Sequence, residues 1–210
     1  MFKTLPIAAT VIGFATITLS AQTYPDTFKV GYYSNAHSYN ECSNTGEPDA
    51  TVRLTNAGTQ IGSKSDPSGN LCAMVYVLTS DQQLAECCGC ALTPDALLTL
   101  SVNEDLTSNP LTNVIPTNGD IKIISSTGAP TCNPSKPVPA AGVRAWATHI
   151  QKDTAAVTVE VLTSFETETA FSDSTLSTGE LRMLENKCQA IQNNGSGFGV
   201  CTCGASEPSW

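Results

Sequence analysis

Leu71–Asn109 reads LCAMVYVLTSDQQLAECCGCALTPDALLTLSVNEDLTSN and carries Cys72, Cys87, Cys88 and Cys90, four of the nine cysteines in the chain. Its first half, Cys72 to Leu78, is rich in apolar, strand-favouring residues. Thr79-Ser80-Asp81-Gln82 can turn, and Gln83 to Cys88 can run back antiparallel. With the turn centred near Ser80 and Asp81, Cys72 is expected opposite Cys88 or, one residue away, Cys87. A disulfide is expected there, because facing residues in a non-hydrogen-bonded pair bring their side chains closest. Cys87 and Cys88 leave opposite faces of an extended strand, so they are expected to find different partners.

Outward from this hairpin, the chain keeps the pattern of a β protein. A short strand is expected at Phe28-Lys29-Val30-Gly31-Tyr32. Val52 and Leu54 alternate with Thr51, Arg53 and Thr55, as in a half-buried strand. Leu98, Leu100 and Val102 alternate in the same way. Asn118-Gly119 reads as a tight turn leading into Ile121 and Ile123. Val143–Ile150 and Ala155–Phe171 complete the strands, the latter with Val157, Val159, Val161 and Phe165 on one face. Ser125–Gly142, with four prolines and Cys132, reads as an irregular connection tied down by its cysteine.

One helix is expected. Ser177-Thr178-Gly179-Glu180 fits a capping box, Leu176 and Leu181 a hydrophobic staple, and Leu181, Leu184, Cys188 and Ile191 an apolar stripe; Asn194-Gly195 supplies the stop. About eight short strands followed by one C-terminal helix make the expected fold mainly β, a β-sandwich, with a partly open barrel as the runner-up.

The N-terminus has the layout of a cleaved secretory leader. Lys3 precedes an uncharged apolar run from Leu5 to Leu19, and Ser20-Ala21 stands before Gln22. The expected organisation is therefore a leader at 1–21 and a single disulfide-stapled β-sandwich domain at 22–210, with no stable membrane span after cleavage. The run at 5–19 is short for a bilayer. The chain has a net charge of −9 and no cluster of Lys or Arg, which argues against nucleic acid or an anionic membrane surface as partner. Charged residues are only 14% of the chain, so its polar surface must come largely from Thr, Ser and Asn, which suits strands and turns.

The blocks LCAMVYV, ECCGCALTPDALLTLSVNEDLTSN and GSGFGVCTC resemble a set of predicted secreted proteins of acidobacteria, from about Asn70 through most of the remaining chain. The resemblance implies export and a common cysteine framework, and it supplies no catalytic residues. The segment before Asn70 matches less well, which sets Cys42 apart as the odd cysteine.

Nine cysteines in an exported chain point to disulfides. The candidates are Cys72, Cys87, Cys88, Cys90, Cys132, Cys188, Cys201 and Cys203. Beyond a Cys72 bridge to Cys87 or Cys88, Cys132 is expected with Cys188, and Cys201 and Cys203 with the remaining members of the Cys87, Cys88 and Cys90 group. A second chemistry fits the same residues. Cys88 and Cys90 lie two apart, as do Cys201 and Cys203, so each couple presents both sulfurs on one face, and two facing couples make a soft tetrahedral site for zinc or copper. An oxidising compartment favours bridges and hence no cofactor.

Catalytic motifs are absent from the sequence: there is no G-x-S-x-G, no H-E-x-x-H and no Gly-rich phosphate loop. His37, Tyr39, Glu41 and Cys42 lie in an unpatterned loop. His149 sits on a strand face near Ala145 and Ala147, as a structural histidine does, and Glu166 and Glu168 lie on a solvent-facing edge. The function expected is a secreted or cell-surface structural or binding module without catalytic activity, with cell-surface or self-assembly partners. A thiolate metal-binding or redox protein of the envelope is the alternative, and a secreted hydrolase the third. Lys3, the apolar run and Ala21 make the leader directly testable: N-terminal sequencing of protein recovered outside the cytoplasm should begin at or near Gln22, and an intact Met1 there refutes the leader.

Overall fold

The computed structural model describes residues 24–34, 49–60, 68–152 and 164–204. The leader, the loop with His37 and Cys42, and the alternation at Val157, Val159 and Val161 lie outside the described residues. Ten strands and one helix are described: β1 (Tyr24–Ser34), β2 (Thr51–Asn56), β3 (Leu71–Thr79), β4 (Leu84–Leu92), β5 (Leu97–Ser101), β6 (Asn118–Thr127), β7 (Val138–Pro139), β8 (Val143–Lys152), β9 (Ser164–Ala170), β10 (Ser172–Leu176) and α1 (Thr178–Asn194). They form two sheets. One runs β10-β1-β6-β3-β4 with β7 added on β6, and the other runs β5-β2-β8-β9. The fold is thus mainly β, a sandwich-like pair of sheets with one C-terminal helix.

The uninterrupted apolar reading of β3 follows from burial on both sides. Leu71, Ala73, Val75 and Val77 face Val52, Leu54, Leu98, Leu100, Ala145 and Ala147 of the second sheet. Cys72, Met74, Tyr76 and Leu78 face the other way, where Leu184, Cys188 and Ile191 of α1 cover them. A strand covered on both faces has no polar side to show, so alternation disappears. Strand β2 has one covered face, and its residues alternate between buried and half-buried as the sequence does.

The hairpin forms with a register other than the one expected. Cys72 lies opposite Ala91, Val75 opposite Cys88 and Tyr76 opposite Cys87. The turn occupies Ser80–Gln83, and the register shifts between Val77 and Leu78, so that Val77 faces Glu86 while Leu78 faces Leu84. A long turn plus a bulge moves every later residue of β4 along its partner, and Cys72 is carried away from both neighbouring cysteines. Asn118-Gly119 is likewise not a turn. Both residues belong to β6, with Gly119 between Tyr33 of β1 and Thr79 of β3. A side chain on Gly119 would stand 1.9 Å from the Leu78 carbonyl, so glycine is required here by close backbone approach.

Val102 is buried as expected, yet it opens a five-residue π-helical turn, Val102–Leu106, and does not continue β5. The side chain of Ser101 caps that turn by accepting from the Glu104 amide at 2.7 Å. Strand β10 went unforeseen because Ser172–Leu176 exposes every residue except Leu176 and so carries no apolar alternation.

Helix α1 starts where its caps place it. The Ser177 hydroxyl accepts from the Glu180 amide at 3.1 Å, and the chain leaves the helix at Gly195 with φ 67°. The Glu180 carboxylate is engaged across the layer by Lys122 of β6 at 2.6 Å. Leu176 is fully buried and Leu181 packs on the same cluster, forming the staple. Ser177→Ala should therefore cost about 1 kcal/mol and Leu184→Ala about 2–5 kcal/mol. Denaturant melts of the two variants check this, and a milder effect of Leu184→Ala refutes the packing of α1.

Candidate functional site

Strand β4 is where the chain concentrates its chemistry, because the period of two distributes Glu86-Cys87-Cys88-Gly89-Cys90 between two faces. Cys87 points toward α1 and is bonded to Cys188. Cys88 and Cys90 point between the sheets and are bonded to Cys201 and Cys203 of the C-terminal tail. Gly89 shares the Cys87 face, and there the backbone of the Cys132 loop crosses so closely that a Cβ would lie 2.2 Å from the Cys132 carbonyl oxygen. That loop is held by the fourth bridge, Cys72–Cys132.

Two of the expected pairings are thereby corrected. Cys72 bonds to Cys132, not to Cys87 or Cys88, since the register sets Ala91 opposite it and its side chain meets the 128–137 loop instead. Cys188 bonds to Cys87, not to Cys132, because α1 crosses the face of β4 from which Cys87 projects. The Cys201 and Cys203 couple does pair with the inward couple of β4. All eight cysteines among the described residues are in bridges; Cys42 lies outside them.

The tail follows β4 in parallel. Val200 forms a bridge with Cys87, and the Cys87 amide donates to the Gly199 carbonyl at 2.9 Å. On its other side the tail is held by the 102–109 segment. The Thr202 amide donates to the Asp105 carbonyl at 2.9 Å, the Gly199 amide donates to the Asn109 carbonyl at 2.6 Å, and Asn109 Nδ2 donates to the Gly197 and Val200 carbonyls at 2.6 and 3.2 Å. Gly199 adopts φ 84° against Ile191 of α1.

The four bridges are not equivalent as staples. Cys88–Cys201 closes a separation of 113 residues. Once it exists, Cys90–Cys203 closes only the small ring through Gly89 and Thr202. In the chain-entropy picture the first is worth almost ~5 kcal/mol and the second roughly 2 kcal/mol. The sulfurs of Cys88, Cys90 and Cys203 lie within 4.8 Å of one another, so the two parallel bridges form one sulfur cluster. Cys88, Cys90 and Cys201 are buried and Cys203 is half-buried, which puts the approach from solvent on the tail side.

Two buried charged groups, neither singled out by sequence reasoning, flank this architecture. Glu86 is fully buried on the Cys88 side of β4, with Oε1 accepting from the Asn109 amide at 2.8 Å and Oε2 without a partner. Burial raises its carboxyl from 4.5 to about 7 against the pull of the Asn109 hydrogen bond. Lys29 is buried at 1% exposure, held by Asp26 at 2.6 Å and by Asp173, while Arg144 also reaches Asp26 at 2.8 Å. At Asp26 burial favours the neutral acid, but the Lys29 and Arg144 hydrogen bonds outweigh it and hold the carboxyl below its usual value. For Glu86 the signal was a charged residue sharing a strand face with Cys88 and Cys90.

Among the described residues, the remaining sequence candidates do not assemble into a catalytic constellation. His149 is buried with its ring stacked on Tyr32 at 3.8 Å and Nε2 2.7 Å from Thr169 Oγ1, and burial lowers its pKa. Glu166 and Glu168 are exposed, and Glu168 pairs with Arg53 at 2.6 Å. Two surface concavities lie among the described residues. One of about 260 Å³ is lined by Asn70, Ala91, Leu92, Thr93, Ala129 and Pro130, none of them ionisable. The other, about 590 Å³, has Lys187 as its one charged lining residue. No protein-family model, curated protein or solved structure matches the chain.

Glu86 makes stability depend on pH in a direction opposite to that of a salt-bridged acid. The folded chain keeps a proton on Glu86 that the unfolded chain releases above its ordinary value. The group's full stabilising contribution is present below about 4.5 and is lost as pH rises to about 7. Glu86→Gln keeps an acceptor for Asn109 without the ionisation. It should melt above the wild type at pH 8, by up to roughly 3 kcal/mol of stability, with the gap closing toward pH 4.5. Parallel melting-temperature curves for the two proteins across that range rule out the assignment.

Proposed function

We propose that this chain is a secreted or cell-surface structural or binding module, stapled by disulfides and working without catalysis of its own. The observation that carries it is the convergence of three bridges on Cys87, Cys88 and Cys90, which joins the helix and the tail to one strand. Such crosslinking persists only outside a reducing compartment and serves a domain that must survive unaided. No helix among the described residues is long and apolar enough to cross a membrane. The polar outer face of the second sheet, with Thr55, Thr99 and the Arg53–Glu168 pair, and the scarcity of ionisable groups in the two concavities support a partner-binding role over a hydrolytic one. Disulfide mapping and a metal assay on protein exported by its host test the reading. The expected result is metal-free protein whose peptides are joined as Cys72–Cys132, Cys87–Cys188, Cys88–Cys201 and Cys90–Cys203, with a melting temperature that falls on reduction and ignores chelators. Four or more free thiols together with stoichiometric zinc or copper overturn it.

A further inference from the structure

The two parallel bridges bring four sulfurs together at one place in the fold. Four sulfurs come from two backbone segments whose Cα atoms are 5.1 Å apart at Cys88–Cys201 and 5.4 Å apart at Cys90–Cys203. Three of these sulfurs already lie within 4.8 Å of one another, and the fourth, on Cys201, is bonded to one of the three. In a tetrahedral zinc–thiolate centre, with zinc–sulfur bonds of about 2.3 Å, sulfurs sit ~3.8 Å apart. Breaking both bridges lets each bonded pair open by ~1.7 Å while the Cys88 sulfur closes on those of Cys90 and Cys203 by ~1 Å or less, and the Cys201 sulfur, released from Cys88, is left to rotate toward the other three. The backbone can stay in place, because Asp105, Asn109 and the Cys87 amide hold the tail independently of the sulfurs.

We propose that Cys88, Cys90, Cys201 and Cys203 form a redox-gated zinc site: two disulfides when oxidised, one tetrathiolate zinc centre when reduced. The proposal goes beyond the module reading, which concerns the oxidised protein. Reduction consumes two equivalents of a two-electron reductant. With a water-soluble phosphine, each bridge and one water give two thiols and one phosphine oxide. One zinc ion then displaces four protons from the four thiols, leaving a centre of net charge −2. The carbonyls of Gly89 and Thr202 lie 3.4 and 3.8 Å from the sulfurs of Cys203 and Cys88, where they accept from the protonated thiols of the reduced state. Loading must therefore strengthen as pH rises. The other two bridges supply no such site, since each stands alone on the opposite face of the sheet.

The test uses the full chain, reduced anaerobically with phosphine and titrated with Co²⁺ as a spectroscopic stand-in for zinc. The expected result is one Co²⁺ per chain with the intense visible bands of a tetrahedral thiolate centre, displaced by one Zn²⁺ and absent from unreduced protein. The double variant Cys90→Ser/Cys203→Ser should lose at least tenfold in affinity, whereas Cys72→Ser/Cys132→Ser should bind unchanged. If the reduced chain loses its fold, adding metal should restore the strand circular dichroism in the wild type and not in Cys90→Ser/Cys203→Ser. No one-to-one binding and no metal-driven refolding, or binding that survives in Cys90→Ser/Cys203→Ser, overturns the proposal. Each of these results leaves the disulfide map of the exported protein untouched.

Discussion

The architecture depends on the alternation of side chains along β4. Two consecutive cysteines in an extended strand must leave opposite faces, and here those faces belong to different layers. Cys87 therefore reaches α1 while Cys88 reaches the tail. Cys90 repeats the direction of Cys88 one period later, and Gly89 repeats that of Cys87 but with no side chain, which opens the space the Cys132 loop occupies. A one-residue slip of β4 would exchange the two faces and bring every one of these partners to the wrong side. The bulge between Val77 and Leu78 sits on the turn side of the cysteines and sets where they fall against β3.

Three layers follow from this. Strands β3 and β4 are buried on both faces, one toward the second sheet and one toward α1, so apart from Glu86 they are close to purely apolar. The second sheet has only its inner face covered and meets water with threonines and an ion pair. Charge is confined accordingly. Among the described residues, Lys29 and Glu86 enter the interior and are handled differently: Lys29 is matched by Asp26 and Asp173, whereas burial raises the Glu86 carboxyl to about 7. A carboxyl raised in this way ties stability to pH, and the Asn109 amide it engages belongs to the segment that holds the tail.

How much of this was legible in the residues depends on the range of the interaction. Helix α1 was readable from Ser177, Leu184, Cys188, Ile191 and Gly195, because caps and stripes are local. Strands with one wet face, such as β2, announced themselves by alternation. The register of the hairpin did not, since a bulge depends on how the whole strand packs and leaves no residue-level mark in SDQQLAE. Cysteine connectivity divided on the same line. The matching spacing of two placed Cys201 and Cys203 with members of the Cys87, Cys88 and Cys90 group, but strand period alone left open which two, because the register of Cys72 was unknown. Cys72, Cys132 and Cys188 required knowing which loop crosses which face. Strand β10 and the buried state of Lys29 were hidden for a related reason: both depend on β1 lying between β6 and β10, a tertiary fact.

The paired bridges also answer a structural problem posed by β4, which ends its sheet. An edge strand with open amides and carbonyls invites pairing with other chains. The tail covers this edge although it makes little of a ladder: one bridge at Val200 and one donation from the Cys87 amide. A single disulfide would fix the tail at one point and leave it free to pivot about Cys201. Two disulfides, two residues apart on both segments, fix a direction as well as a point, and the direction is parallel to β4. The second bridge thus contributes modestly to chain entropy and chiefly to orientation. That orientation carries Asn109 and Asp105 into register with the tail backbone, so covalent geometry does at this edge what a strand's hydrogen bonds do elsewhere in the sheet.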